Sequence, residues 1–131
     1  MKSPNERTLT RTSRDFLWGV DEVSAARHFA EDVAQSWGVP ADDIVLVVGE
    51  LAANSYRHAR GGFRVSLGNE NGVLLVEVTD ASPQVPQVLT PSPDARSGRG
   101  LVIVERIARS WGTRPTSDGG KTVWVELDVT D

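Results

Sequence analysis

The sequence contains no cysteine, which excludes disulfide bonds and metal sites built on thiolates. A chain without cysteine suits a reducing compartment, and we expect a cytoplasmic protein. No apolar run reaches the length of about 18 residues that would predict a membrane span. The N-terminal segment has no apolar core of the signal-peptide type. Basic residues do not cluster and the net charge is −4, so nucleic acid is not an expected partner.

The length of 131 residues predicts a single domain that comprises residues 1–131. A hydrophobic fraction of 39% and a charged fraction of 24% are typical of an ordinary globular domain. Residues 1–7 are polar, and we expect this terminus to be flexible. The chain has no internal repeat, so a solenoid or propeller is not expected.

Three segments have the apolar period of an amphipathic helix. The first is predicted to begin with Asp21 as its N-cap and to end at Gly38, a residue type that favours the left-handed conformation. The second is predicted to begin at Pro40 and to continue to about His58. The third covers residues 102–108, where apolar side chains again recur at helical spacing.

Alternation of apolar and polar residues predicts strands in the rest of the chain. The predicted strands cover residues 8–18 at a sheet edge, 63–67, 73–79, 113–115 and 123–129. The dipeptide Asn71-Gly72 is typical of a tight hairpin and is expected to join two of these strands. Residues 81–96 contain four of the seven prolines and no period, which indicates a long loop of the kind that often acts as a lid.

The second predicted helix carries a carboxylate and a carboxamide on one face. Glu50 and Asn54 are four residues apart, so their side chains lie one above the other at the edge of the apolar stripe. A carboxylate there can accept a proton, and an amide oxygen can bind a hard cation. Taken alone, a solvated helix edge is the commoner explanation for such a pair.

Further polar and glycine residues stand at the ends of predicted elements. Asp80 closes a strand, where it can accept a hydrogen bond from an exocyclic amine or serve as an ordinary turn aspartate. The sequence Gly98-Arg99-Gly100 before a helix can cradle a phosphate or form a plain turn. Ile103 replaces the third glycine of a dinucleotide fingerprint, which excludes that motif. His58 at a helix end is more often a capping or packing residue than a base.

In chain order these features resemble the ATP-binding superfamily of DNA gyrase, sensor histidine kinases and mismatch-repair ATPases. The matching succession is Glu50 with Asn54 and His58, Asp80 with Ser82, the proline-rich loop, Ser97 to Leu101, and Gly120 to Val123. The likeness is greatest to the bacterial anti-sigma-factor serine/threonine kinases, and it covers about residues 16–128. It implies a two-layer α+β sandwich, with an antiparallel or mixed sheet and three helices on one face.

The resemblance also implies a role for each matched residue. Glu50 matches the general base, and Asn54 matches the residue that holds Mg²⁺. Asp80 matches the residue that binds the adenine amino group, with Thr122 in support. Arg96 matches the arginine that reaches the γ-phosphate, and Arg99 is the competing candidate. The implied nucleotide-binding set is Asn54, His58, Asp80, Ser82, Gly98, Arg99, Gly100, Leu101 and Thr122, with Glu50 and Arg96 as the catalytic residues.

The function implied by the resemblance is an ATP- and Mg²⁺-dependent serine/threonine protein kinase that regulates transcription. Such a protein binds a sigma factor, phosphorylates an antagonist protein and forms a homodimer. The alternative is a non-catalytic ATP-binding interaction module of the same fold. The chain has no room for the dimerisation helices of a sensor kinase. Two departures from the family pattern are Ala81-Ser82-Pro83 in place of a glycine-rich segment and Ser55 in place of the alanine that usually follows the asparagine, a replacement expected to be harmless.

Overall fold

The computed structural model describes residues 9–83 and 99–128, and it covers the side chains of 10–83 and 101–128. Its elements are β1 (Leu9–Phe16), α1 (Val20–Trp37), α2 (Asp42–His58), β2 (Phe63–Glu70), β3 (Val73–Asp80), α3 (Arg99–Ile107), β4 (Ser110–Pro115) and β5 (Lys121–Asp128). The strands form one sheet in the order β1-β2-β3-β5-β4, and every neighbouring pair is antiparallel. The predicted α+β sandwich of a sheet and three helices is confirmed.

Helix α1 has the predicted apolar face, but its start differs from the sequence prediction. The residues buried on this face are Val23, Ala26, Ala30, Val33 and Ala34. The N-cap is Gly19, and no side chain caps the helix, so the prediction of Asp21 as the N-cap is wrong. Asp21 instead lies in the first turn, where its negative charge still complements the helix dipole. Gly38 ends the helix with a φ of 68°, as predicted.

Helix α2 lies at the centre of the helical layer and contacts α1, α3 and the sheet. Its buried hydrophobic side chains are Ile44, Val47, Val48, Leu51 and Ala52. It begins at Asp42 rather than at Pro40, which precedes the helix. Gly49 is also buried, and a Cβ at this position would lie 2.5 Å from Nε of Arg27 on α1. The glycine therefore leaves room for the Arg27 side chain beside the turn of α2 that carries Glu50.

The hairpin of β2 and β3 forms the middle of the sheet. Asn71 and Gly72 both have positive φ, 54° and 85°, as a two-residue turn of the primed type requires. This turn aligns Val65 with Val78 and Leu67 with Val76. All four of these side chains are buried beneath the helices. The predicted hairpin is confirmed, and it brings Asp80 to the last position of β3.

Close backbone contacts fix the chain around the end of β3. Gly120 lies directly against this end, because a Cβ there would be 2.1 Å from the carbonyl oxygen of Asp80. Gly62 has a φ of 86°, and a Cβ there would lie 2.4 Å from the carbonyl oxygen of Phe16. Both positions therefore require glycine. Gly62 lets the end of β1 approach the start of β2, and Gly120 lets the chain before β5 approach the end of β3, where the polar groups of the candidate site lie.

Several predicted boundaries are shifted by a few residues. Helix α3 begins at Arg99, three residues before the predicted start, and ends at Ile107. Strand β4 begins at Ser110, and β5 begins at Lys121. Apart from residues 81–83, the predicted lid lies outside the described residues. Of the helices in the described ranges, none is long and apolar enough to cross a membrane.

Candidate functional site

The carboxylate of Asp80 is the centre of a buried polar cluster. Its side chain is 1% exposed, and it accepts hydrogen bonds from three other residues. Nζ of Lys121 donates to Oδ1 at 2.8 Å and to Oδ2 at 3.0 Å. The hydroxyl of Ser55 donates to Oδ2 at 2.6 Å, and the backbone N–H of Ser82 donates to Oδ1 at 3.0 Å. Four donor contacts therefore converge on one carboxylate.

Lys121 is a buried cation for which the sequence predicted no role. Its side chain is 3% exposed, and its ammonium also lies 3.4 Å from the carbonyl oxygen of Ser82. An ammonium this far from water is tolerated only when an opposite charge compensates it, and Asp80 supplies that charge. The signal was present in the alternation of β5, since Lys121 shares the phase of Val123 and Val125, whose side chains are buried.

Ser55 joins helix α2 to the end of β3. Its side chain is buried, and its hydroxyl bonds to Asp80 from a position 25 residues earlier in the chain. The serine at this position, expected from the family pattern to be a harmless replacement of alanine, thus forms a hydrogen bond across the site. Asn54 precedes Ser55 on the same helix. The bond from Ser55 therefore also holds the helical turn that contains Asn54 close to the end of β3.

Glu50 and Asn54 lie where the sequence predicted, one turn apart on α2. Asn54 is 5% exposed and Glu50 is half-buried. Within the described ranges, no cluster of three or more acidic or histidine side chains is able to hold a metal ion. The amide oxygen of Asn54 is a ligand type that Mg²⁺ accepts, and Mg²⁺ in proteins usually completes its octahedron with phosphate oxygens and water.

Thr122 does not lie with Asp80. Its hydroxyl forms a hydrogen bond of 2.8 Å with the hydroxyl of Thr79, and these two residues are partners in the sheet register. Successive side chains of a strand point to opposite faces, so Thr79 and Thr122 share the face opposite to Asp80 and Lys121. The structure thus brings Lys121, rather than Thr122, to the carboxylate.

The turn before Lys121 is held by Asp118. The hydroxyl of Thr116 and, at 3.5 Å, the backbone N–H of Gly120 both donate to its carboxylate. These hydrogen bonds, that of Thr116 foremost, hold the pKa of Asp118 below its usual value. A further backbone bond of 3.1 Å joins the N–H of Thr116 to the carbonyl of Gly120. These hydrogen bonds therefore hold the backbone that immediately precedes Lys121.

Of the other predicted site residues, Ser82, His58, Arg99, Gly100 and Leu101 lie in the part of the chain that the structure describes. Ser82 contributes its backbone, as described above. His58 is exposed at the last position of α2, and Leu101 is buried in the hydrophobic core at 7% exposure. Arg99 and Gly100 form the start of α3. Arg96 and Gly98 lie outside the described residues.

The sequence profile of the histidine kinase-like ATPase domain matches residues 19–127. The chain belongs to the histidine kinase-like ATPase family. An ATPase domain implies ATP as the ligand of this fold, and the match includes Glu50, Asn54, Asp80 and Lys121. No curated protein matches the sequence.

Two solved structures share the fold of this histidine kinase-like ATPase domain. The crystal structure of the RsbU and RsbW domains of Rv1364c from Mycobacterium tuberculosis is 15% identical, with a TM-score of 0.68. That match covers 93% of this chain and 33% of the mycobacterial chain, so this chain spans about a third of that protein. The histidine kinase AdeS of Acinetobacter baumannii is 11% identical, with a TM-score of 0.52 over 92% of this chain and 68% of that chain.

Proposed function

We propose that this domain is an ATP- and Mg²⁺-dependent serine/threonine protein kinase of the anti-sigma-factor type. The observation that carries the proposal is the hydrogen bond from Ser55 to Asp80. It joins the helix that carries Glu50 and Asn54 to the strand that ends in Asp80. Glu50, Asn54 and Asp80, proposed for proton transfer, metal binding and adenine recognition, therefore lie on two elements that this hydrogen bond connects.

Each of these residues is suited to its proposed role. Asn54 offers an amide oxygen for Mg²⁺, which prefers oxygen ligands and retains several waters. When bound, Mg²⁺ would neutralise part of the negative charge of the phosphates. Glu50 is half-buried and carries a carboxylate able to take the proton of a serine or threonine hydroxyl. We propose Arg96 or Arg99 as the cation that meets the γ-phosphate, with Gly98 and Gly100 as the glycines that contact the phosphates.

The proposed partners are a sigma factor and an antagonist protein that carries the acceptor hydroxyl, with a homodimer as the working assembly. The sequence resemblance to anti-sigma-factor kinases supports these partners. The fold shared with a chain that contains RsbU and RsbW domains is compatible with them. In this proposal, phosphorylation of the antagonist determines whether the sigma factor stays bound, and the site of action is the cytoplasm.

The test separates Glu50 from Asn54. In Glu50→Ala, ATP affinity stays within a few fold, while transfer of labelled γ-phosphate to the antagonist falls by about 10²–10⁴-fold, because only the proton acceptor is lost. In Asn54→Ala, Mg²⁺-dependent ATP binding and transfer are lost together. Glu31→Ala removes an exposed carboxylate from α1 and serves as the control. If Glu50→Ala transfers phosphate at the wild-type rate, Glu50 is not the base.

A second candidate function is an interaction module that binds ATP without transferring phosphate. Exposed apolar side chains between β1 and α1 favour it, since Leu17, Trp18 and Val20 are 77%, 48% and 65% exposed. Trp18 stacks on the ring of Tyr56. Contiguous exposed apolar side chains mark interaction surfaces. A wild-type protein that binds ATP and captures a partner, yet transfers no phosphate to any candidate antagonist, would establish this function in place of the kinase.

A further inference from the structure

We propose that Lys121 is an affinity-determining residue that competes with the adenine amino group for the carboxylate of Asp80. This inference rests on the proposed ATP-binding function of the site. It starts from the number of donors around Asp80. An ionised carboxylate has about four lone-pair positions for hydrogen bonds. Two contacts from Lys121, one from Ser55 and one from the N–H of Ser82 already fill them.

Of these donors, Lys121 is the one that is able to leave. The Ser82 donor is a backbone group two residues from Asp80, and the Ser55 hydroxyl is on a short side chain of a buried helix turn. Lys121 carries its ammonium on a flexible stem of four carbons, which offers alternative rotamers. An amine that binds to Asp80 therefore takes the positions that Lys121 holds, while the two serine donors stay in place.

The exchange is unfavourable for the nucleotide. The ammonium of Lys121 adds the attraction of a full positive charge to its hydrogen bonds with Asp80, whereas the adenine amine is neutral and adds no such attraction. Both members of the Asp80–Lys121 pair are almost fully buried, so solvent screens their attraction weakly. ATP must accordingly use part of its binding free energy to move Lys121. This makes the intrinsic affinity of the site lower than that of a site without the lysine.

The direct test measures ATP affinity by isothermal titration calorimetry for wild type and Lys121→Met, which keeps an unbranched side chain one atom shorter and removes the ammonium. Loss of a competing charged hydrogen bond is expected to tighten ATP binding by about tenfold or more. Arg109→Met, which removes an exposed positive charge elsewhere, is the control and is expected to leave the affinity within about twofold. Circular dichroism establishes that each variant is folded.

A second measurement uses the wild-type protein and does not depend on the folding of any variant. The sequence contains two lysines, Lys2 and Lys121, so the side-chain ammonium region of an NMR spectrum has few signals to assign. The buried Lys121 ammonium is expected to exchange slowly with water in the free protein. Saturating ATP is expected to shift or abolish this signal, because the ammonium leaves Asp80.

The outcomes distinguish this inference from the proposed function. ATP that binds the folded Lys121→Met variant no more tightly than wild type overturns the competition, although ATP binding stands. A Lys121 ammonium signal that saturating ATP leaves unchanged also overturns it. If neither wild type nor Lys121→Met binds ATP, the proposed function fails and the competition fails with it. A variant that binds ATP when wild type does not supports the competition in its strongest form.

Discussion

Removal of the Ser55 hydroxyl tests whether the link between α2 and β3 stabilises the fold. In Ser55→Ala, the 2.6 Å hydrogen bond to the buried carboxylate of Asp80 is lost, while the donors from Lys121 and Ser82 remain. The Asp80 carboxylate therefore loses one of its four hydrogen bonds and keeps the other three. The helix itself keeps its backbone hydrogen bonds, because alanine is the residue best suited to an α-helix.

The size of the effect follows from these two contributions. A hydrogen bond to a charged group contributes about 1.5–3 kcal/mol to the free energy of unfolding. Alanine is more favourable than serine in a helix by about 0.5 kcal/mol, which offsets part of the loss. The expected net destabilisation is about 1–2.5 kcal/mol. With a urea dependence of about 2 kcal/mol per molar, the unfolding midpoint falls by about 0.5–1.2 M.

Urea unfolding followed by tryptophan fluorescence measures this midpoint. Ser24→Ala is the matched control, because Ser24 is an exposed serine on α1 and its replacement is expected to change stability by less than about 0.5 kcal/mol. Equal midpoints for Ser55→Ala and Ser24→Ala would refute the argument, since they would show that the bond between α2 and β3 adds nothing. An additional decrease in ATP affinity for Ser55→Ala alone would connect the same bond to the site.

Two further predictions concern the sheet. Gly62→Ala is expected to lower the unfolding midpoint strongly, because its Cβ would lie 2.4 Å from a backbone oxygen of Phe16, whereas Gly61→Ala, with open space around its Cβ, is the control that should be nearly neutral. The ion pair with Arg64 lowers the pKa of Asp15 from 3.8, so its stabilising effect is present above that pH and is lost as the pH falls through the lower folded value. The free energy of unfolding of Asp15→Asn should then be lower than that of wild type at neutral pH and low salt, and the difference should shrink as the pH falls below 3.8. A difference that does not shrink with falling pH would contradict this origin.

The parts of the fold that local chemistry determines were predictable from the sequence. Asn71 and Gly72 tolerate positive φ, which specifies the hairpin, and Gly38 ends α1 for the same reason. The apolar period of α2 identified its buried face. The start of α1 was predicted wrongly because Asp21 suits both an N-cap and a first turn, and the chain uses it in the first turn.

The composition of the polar cluster was harder to predict, because it depends on pairing between distant segments. Asp80 and Lys121 become neighbours only through the register of β3 with β5. Each has the inward phase of its strand, but a charged residue at a strand end is commonly exposed. Lys121 and Thr122 are consecutive residues of β5, so their side chains lie on opposite faces of the sheet. The family resemblance predicted Thr122 beside Asp80, but the register places Lys121 there. The positions of Glu50 and Asn54 were predictable because they depend on helical spacing alone.

The central position of β3 has a consequence for folding. Its pairing with β2 closes through a two-residue turn, whereas its pairing with β5 joins residues that are 41 positions apart at Asp80 and Lys121. Closing the longer loop costs more conformational entropy, and non-local pairing of this kind slows folding. A partly folded chain that has the β2–β3 hairpin but lacks β5 exposes the Asp80 carboxylate without its cation. Pairing of β5 with β3, which also brings in β4, therefore completes the sheet and places Lys121 beside this carboxylate in the same step.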